Sequence, residues 1–220
     1  MGSRPFGVYV HVPWCSSRCG YCDFNTYVPG ALDGASPSTF VDDAIAELRT
    51  ARRRIGDRDI LVETVFFGGG TPTLLAASDL AAVLRAIDSE FGLAPGAEVT
   101  TEANPESVNA EYFDHLRAGG FNRVSLGMQS AASSVLATLE RAHTPGRAIE
   151  AARAARGAGF DEVSLDLIYG TPGETDGDWK ASIEAALSAE PTHISAYSLI
   201  VEPGTRMARQ VGSGVLAAPD

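Results

Sequence analysis

The stretch RAGGFNRVSLGMQ, residues 117–129, returns 39 residues later as RGAGFDEVSLDLI, residues 156–168. Each copy closes a helix on glycine, where a left-handed turn costs least, and then enters an apolar run suited to a strand. The offset is one helix-plus-strand unit, so the two runs are parallel strands joined by a helical crossover. The same alternation extends outward in both directions. Strand patterns lie at 7–12, 62–67, 97–103, 121–127, 160–168 and 192–200, with helical spacing at 36–54, 78–92, 107–120, 145–159 and 175–190.

Six such units build either a doubly wound open sheet or most of a barrel. The chemically distinctive residues decide between them. A cysteine loop follows the first strand, GGGTPT (68–73) the second, Glu102 ends the third, Gln129 the fourth and Asp166 the fifth. A doubly wound sheet gathers its site at one switch point, whereas contributions from five successive carboxyl ends require a curved sheet. The expected fold is α/β, a partial (β/α)6 barrel with parallel strands, filling one domain over 1–215. Residues 216–220, in the Gly/Ala/Pro-rich GVLAAPD, are expected to begin a linker to a missing C-terminal domain, with no final helix after the sixth strand.

A chain of 220 residues with 45% hydrophobic residues buries a sizeable core. A net charge of -11 argues against nucleic-acid binding. The one basic cluster, RTARRRIG (49–56), reads as the solvated C-terminal end of a helix. No apolar run reaches bilayer length and no signal peptide is evident, so the expected address is cytoplasmic, with any membrane contact transient.

In a reducing compartment, the three cysteines of PWCSSRCGYCDFN (13–25), Cys15, Cys19 and Cys22, point to metal or redox chemistry. Zinc would need a fourth ligand, for which His11 is the candidate. An iron–sulfur cluster fits three thiolates better, because an iron left open can take a ligand. Polar neighbours such as Ser16, Ser17 and Asp23 speak against three merely buried cysteines. Elsewhere, Gly68, Gly69 and Gly70 allow close backbone approach to a ligand, or simply a tight turn. Glu102 and Asp166 can accept from hydroxyls or an ammonium, and Arg141 offers a fork for a carboxylate. Trp14 and Phe24 flank the loop and are expected to shield it from water. His115 and His193 read as partly exposed residues near helix and strand ends, and His143 as a loop residue near Arg141.

CSSRCGYC (15–22) resembles the CxxxCxxC signature of radical S-adenosylmethionine (SAM) proteins. YVHVPWC, FFGGGTPTLL, EANPES, VSLGMQS, LERAHT and DLIYGTPGET resemble, in order, the coproporphyrinogen III oxidase-like branch, and most closely its heme chaperone (HemW) members. The resemblance implies a [4Fe-4S] cluster on the three cysteines, and SAM chelated to its open iron and cleaved reductively to a 5′-deoxyadenosyl radical. It carries SAM contacts onto Tyr9, Tyr21, Gly69, Gly70, Thr71, Glu102, Gln129, Arg141, Asp166 and Ile168, with Ile200 near the adenine. Oxygen-independent coproporphyrinogen oxidases carry another cysteine two places after the third, where this chain has Phe24. Phe24 therefore favours a protein that binds heme and passes it to apoproteins, with heme as a further ligand and an electron donor as partner. The alternative is the oxidase of porphyrin biosynthesis.

Overall fold

The computed structural model describes residues 5–31, 33, 35–56, 60–141, 144 and 146–219. His143 lies outside the described residues. The strands are β1 (Phe6–Val12), β2 (Val62–Gly69), β3 (Leu93–Ala103), β4 (Arg123–Gln129), β5 (Glu162–Tyr169) and β6 (His193–Ser198). All neighbours pair in parallel, and the order across the sheet is the order in sequence, β1 to β6. The helices are α1 (Phe40–Ile55), α2 (Ala77–Phe91), α3 (Ala110–Ala118), α4 (Ser133–Thr138), α5 (Arg147–Gly157), α6 (Asp176–Leu187) and α7 (Arg206–Gly212).

The two repeat copies fold as their sequences require. At the end of α3 the Phe121 N–H reaches the Leu116 carbonyl and the Gly120 N–H that of Arg117; at the end of α5, Phe160 and Gly159 do the same to Ala155 and Arg156. Gly120 and Gly159 hold the left-handed position of this helix stop, at φ 102° and 87°. The phenylalanine that follows each is buried, Phe121 against Phe67 with ring centres 5.1 Å apart and Phe160 edge-on to Phe113 at 5.7 Å. These rings lie in the main core, where alternate strand residues such as Val65, Phe67, Leu126, Leu165 and Leu167 meet the helices. The opposite face of each strand carries Tyr9, Phe66, Glu102, Ser125 and Asp166, none of them fully buried. The pleat thus separates packing from chemistry.

The segments that follow the first and the last strand meet across the carboxyl end of the sheet. The Met207 N–H of α7, beyond the last strand, donates to the Gly20 carbonyl of the loop after the first, at 2.8 Å. That helix corrects the expectation of no helix after the sixth strand. Its seven residues start on a Thr205 cap, whose hydroxyl accepts from the Ala208 N–H. Met207 anchors it in a small second core with Val135, Leu139, Ile168 and Leu199. Helix α4 is a further element beyond the expected set. RTARRRIG does close α1, with Arg52, Arg53 and Arg54 in its last turn.

Candidate functional site

The loop after β1 is held by backbone bonds before any side chain acts. The Cys15 N–H donates to Tyr27 O and the Tyr27 N–H to Pro13 O, closing the loop on itself. Gly70 and Thr71 N–H groups then donate to the carbonyls of Val12 and Trp14, both at 2.7 Å, and fasten the loop to the end of β2. Glycine is obligatory at 70: a Cβ there would lie 2.5 Å from the Trp14 carbonyl oxygen. Trp14 itself is 2% exposed and belongs to the main core, while Phe24 stands 59% exposed at the rim. Of the two aromatic residues expected to shield the loop, only Phe24 lines the cavity.

The loop forms one wall of a cavity of about 480 Å³ across the carboxyl ends of the strands. Cys15, Cys19 and Cys22 all line it, as do Tyr21, Gly69, Gly70, Thr71, Glu102, Gln129, Arg141, Asp166, Ile168 and Ile200. Tyr9 does not. Its hydroxyl is 2.9 Å from His11 Nδ1, and its ring stacks on Phe66 outside the cavity. His11 Nε2 is in turn 2.9 Å from the Asn25 carbonyl oxygen. With both ring nitrogens engaged, His11 is a poor fourth ligand for zinc. Among the described residues no three His, Cys, Asp or Glu side chains converge on a point that would hold a single ion. Three cysteines on one loop that line the same cavity are thiolates of the kind that holds an iron–sulfur cluster.

Each sulfur has its own surroundings. The Thr71 hydroxyl is 3.9 Å from Cys15 Sγ, and Arg141 Nη1 is 3.5 Å from Cys19 Sγ. The Thr26 hydroxyl, buried and without a regular hydrogen bond, faces Cys15 and favours its thiolate. Burial pushes the Cys15 and Cys22 thiols up, so the metal-free chain holds them protonated and metal binding would release protons. Burial would loosen the Arg141 proton, but the facing Cys19 and Tyr21 more than restore it. Arg141 also donates to the Gly127 carbonyl at 3.3 Å, over a glycine whose Cβ would meet Arg141 and the Gln129 amide.

Opposite the sulfurs are two carboxylates. Glu102 accepts the Gly69 N–H at 3.0 Å, and burial pushes its pKa up to about 7, with the Gly69 bond opposing and the Asp166 charge adding. Asp166 is also raised by burial, against the Ser125 hydroxyl, which reaches both its oxygens at 3.0 Å. A cation placed here would draw both groups back to their ionised forms, so the cavity rewards positive charge. Gln129 enters through a break in the β4–β5 register, with φ at 66° and 8% exposure. That left-handed conformation costs a non-glycine residue about 1–3 kcal/mol and turns its amide into the cavity.

Ser125 and Glu140 were not expected at the site. Ser125 shares the strand face of Gly127, which the two-residue period makes readable. Glu140 lies in the matched block LERAHT, but no local pattern gives it a role at the site.

The profile of the radical SAM superfamily matches residues 9–186. The chain is 55% identical over all its 220 residues to the heme chaperone HemW of Mycobacterium tuberculosis, covering 56% of that protein. It is 38% identical over 219 residues to the mitochondrial radical S-adenosyl methionine domain-containing protein 1 of Bos taurus, covering 48% of it. The chain thus spans about half the length of these relatives. Among solved structures, Escherichia coli coproporphyrinogen III oxidase (HemN), described as a radical SAM enzyme, superposes with a TM-score of 0.86 at 27% identity, over 98% of this chain and 49% of that one.

Proposed function

Because the chain belongs to the radical SAM superfamily, we propose that it holds a [4Fe-4S] cluster on Cys15, Cys19 and Cys22, binds SAM beside it, and serves as a heme chaperone of the HemW type. When bound, the cluster and SAM supply one-electron chemistry that no side chain here can perform. The chain's own residues bind and orient. Arg141 takes the SAM carboxylate as a charge-assisted fork, while Gly69, Gly70 and Thr71 let the amino acid end approach the backbone. Glu102 and Asp166 accept from the ribose hydroxyls or the ammonium, Gln129 donates and accepts beside them, and Tyr21 and Ile168 supply apolar contact. Tyr9 would act from the edge of this set, through its bond to His11. The partners are heme, the apoproteins that receive it and an electron donor, in the reducing cytoplasm. Among the described residues no helix is long and apolar enough to cross a membrane.

The observation that carries this reading is the charge of the cavity. Its lining includes the carboxylates of Asp23, Glu102, Glu106, Glu140, Asp166 and Glu202 against the guanidinium groups of Arg18 and Arg141. A sulfonium and ammonium ligand gains from that balance. Phe24, at the position of the oxidases' extra cysteine, favours the heme chaperone over the oxidase. Anaerobic reconstitution followed by SAM and heme titrations, with a parallel coproporphyrinogen III assay, tests the reading. Iron–sulfur absorbance, binding of both ligands and no decarboxylated product are expected; SAM-dependent formation of the divinyl, decarboxylated product would overturn the chaperone assignment.

A further inference from the structure

Helix α4 ends in the same double hydrogen bond as α3 and α5. The Arg141 N–H reaches the Leu136 carbonyl at 2.9 Å and the Glu140 N–H that of Ala137 at 3.0 Å. In α3 and α5 the left-handed residue of this stop is glycine; in α4 it is Glu140, at φ 52°. A glutamate there carries strain that glycine would remove, on the order of 1 kcal/mol or more. Glu190, exposed just after α6, holds the same conformation at φ 51°, so what sets Glu140 apart is what its side chain touches.

That side chain is three-quarters buried, and both its oxygens are engaged by α7. Arg206 Nη1 donates to Oε2, and Gln210 Nε2 lies 3.4 Å from Oε1. Its stem lies against Gly20, where a Cβ would come within 3.0 Å of the Glu140 carboxyl carbon. Gly20 is also bonded on both sides, its N–H to the Leu139 carbonyl at 3.3 Å and its carbonyl to the Met207 N–H. The next residue after Glu140 is Arg141, which faces Cys19 Sγ. One strained residue therefore joins three pieces: the Cys19–Cys22 half of the loop, the arginine beside it and the last helix.

We propose that Glu140, with Arg206 and Gln210, forms a clamp that fixes Cys19 and Arg141 relative to each other, making Glu140 a positioning residue for the metal and SAM site. The assignment deepens the proposed function and rests on it for the identity of the bound group; the clamp itself is a property of the metal-free chain. Arg206 is more than half exposed, so its pair with Glu140 adds little to global stability, and geometry rather than stability is its product.

Glu140→Gly separates the two, because it relieves the helix stop while deleting the clamp. The metal-free variant is expected to melt at or above the wild-type temperature. Alkylation of Cys19, followed by peptide mass spectrometry on the metal-free chain, should nonetheless change in rate several-fold, because both its access and its seat beside Arg141 change. After anaerobic reconstitution, an iron chelator should strip the variant about tenfold faster, a ratio equivalent to about 1.4 kcal/mol of lost hold. Arg206→Glu, which sets two carboxylates against each other at an exposed position, should give the same two changes. Unchanged alkylation and chelation in either folded variant would overturn the clamp. A lowered melting temperature in Glu140→Gly with changes no larger than that loss explains would overturn it too. Failure of the wild type to take up iron would instead sink the proposed function, and the alkylation comparison would still decide the clamp.

Discussion

Glu102 gives the site a measurable pH signature. In the folded chain burial holds its pKa at about 7, against an ordinary value of 4.5. Between those values the unfolded chain has lost the proton and the folded chain keeps it, so the unfolded state binds fewer protons and stability falls as pH rises. The contribution is fully present below 4.5, declines up to about 7 and is flat beyond. A separation of that size corresponds to about 3 kcal/mol. Glu102→Gln keeps an oxygen to accept the Gly69 N–H and removes the titration. Urea unfolding of the metal-free chain, under reducing conditions at pH 5 and pH 8, should show a loss for the wild type about 2.5 kcal/mol larger than for the variant. The difference between the two proteins cancels groups remote from the site. Parallel pH profiles would refute the claim that burial controls this carboxyl. The same linkage makes SAM binding near pH 6.5 expel a proton from the wild type but not from Glu102→Gln, which titrations in buffers of different ionisation enthalpy would register.

Three further outcomes are expected. Arg141→Ala should weaken SAM binding by about 1.5–3 kcal/mol, about ten- to a hundredfold in affinity, read by calorimetry on reconstituted protein. Gly70→Ala should destabilise the metal-free fold by about 1–3 kcal/mol in denaturant titration, since the clash is with the Trp14 backbone and not a movable side chain. Alanine at any one of Cys15, Cys19 or Cys22 should abolish the iron–sulfur absorbance that the wild type acquires on anaerobic reconstitution.

The sheet was legible because each of its units carries its own punctuation. RAGGF and RGAGF specify a helix stop, a buried ring and a strand within thirteen residues, and a period of two places Glu102, Ser125 and Asp166 on one face. Helices α4 and α7 escaped because six or seven residues hold fewer than two full turns, too few to establish a period, and tertiary contacts hold them instead. The seating of Arg141 beside Cys19 unites residues far apart in sequence, and no local pattern encodes it. Gln129's conformation depends on a register break with β5. Tyr9 sits on the expected face, yet its partner is His11 and not the cavity, because strand parity fixes direction but not depth. Trp14 read as a shield for the loop for the same reason: adjacency in sequence did not reveal that it turns into the core.

The bond from Met207 to Gly20 joins positions separated by nearly the whole chain. Each sheet pairing links neighbouring units and can form as soon as both exist, but this contact cannot form until the last helix has been made. During synthesis the loop can close on Tyr27 and on the end of β2 early, but its Gly20 side waits through the production of four more strands and α7 for its last backbone bond. The Cys19–Cys22 half of the loop is thus the last part of the cavity wall to be fixed.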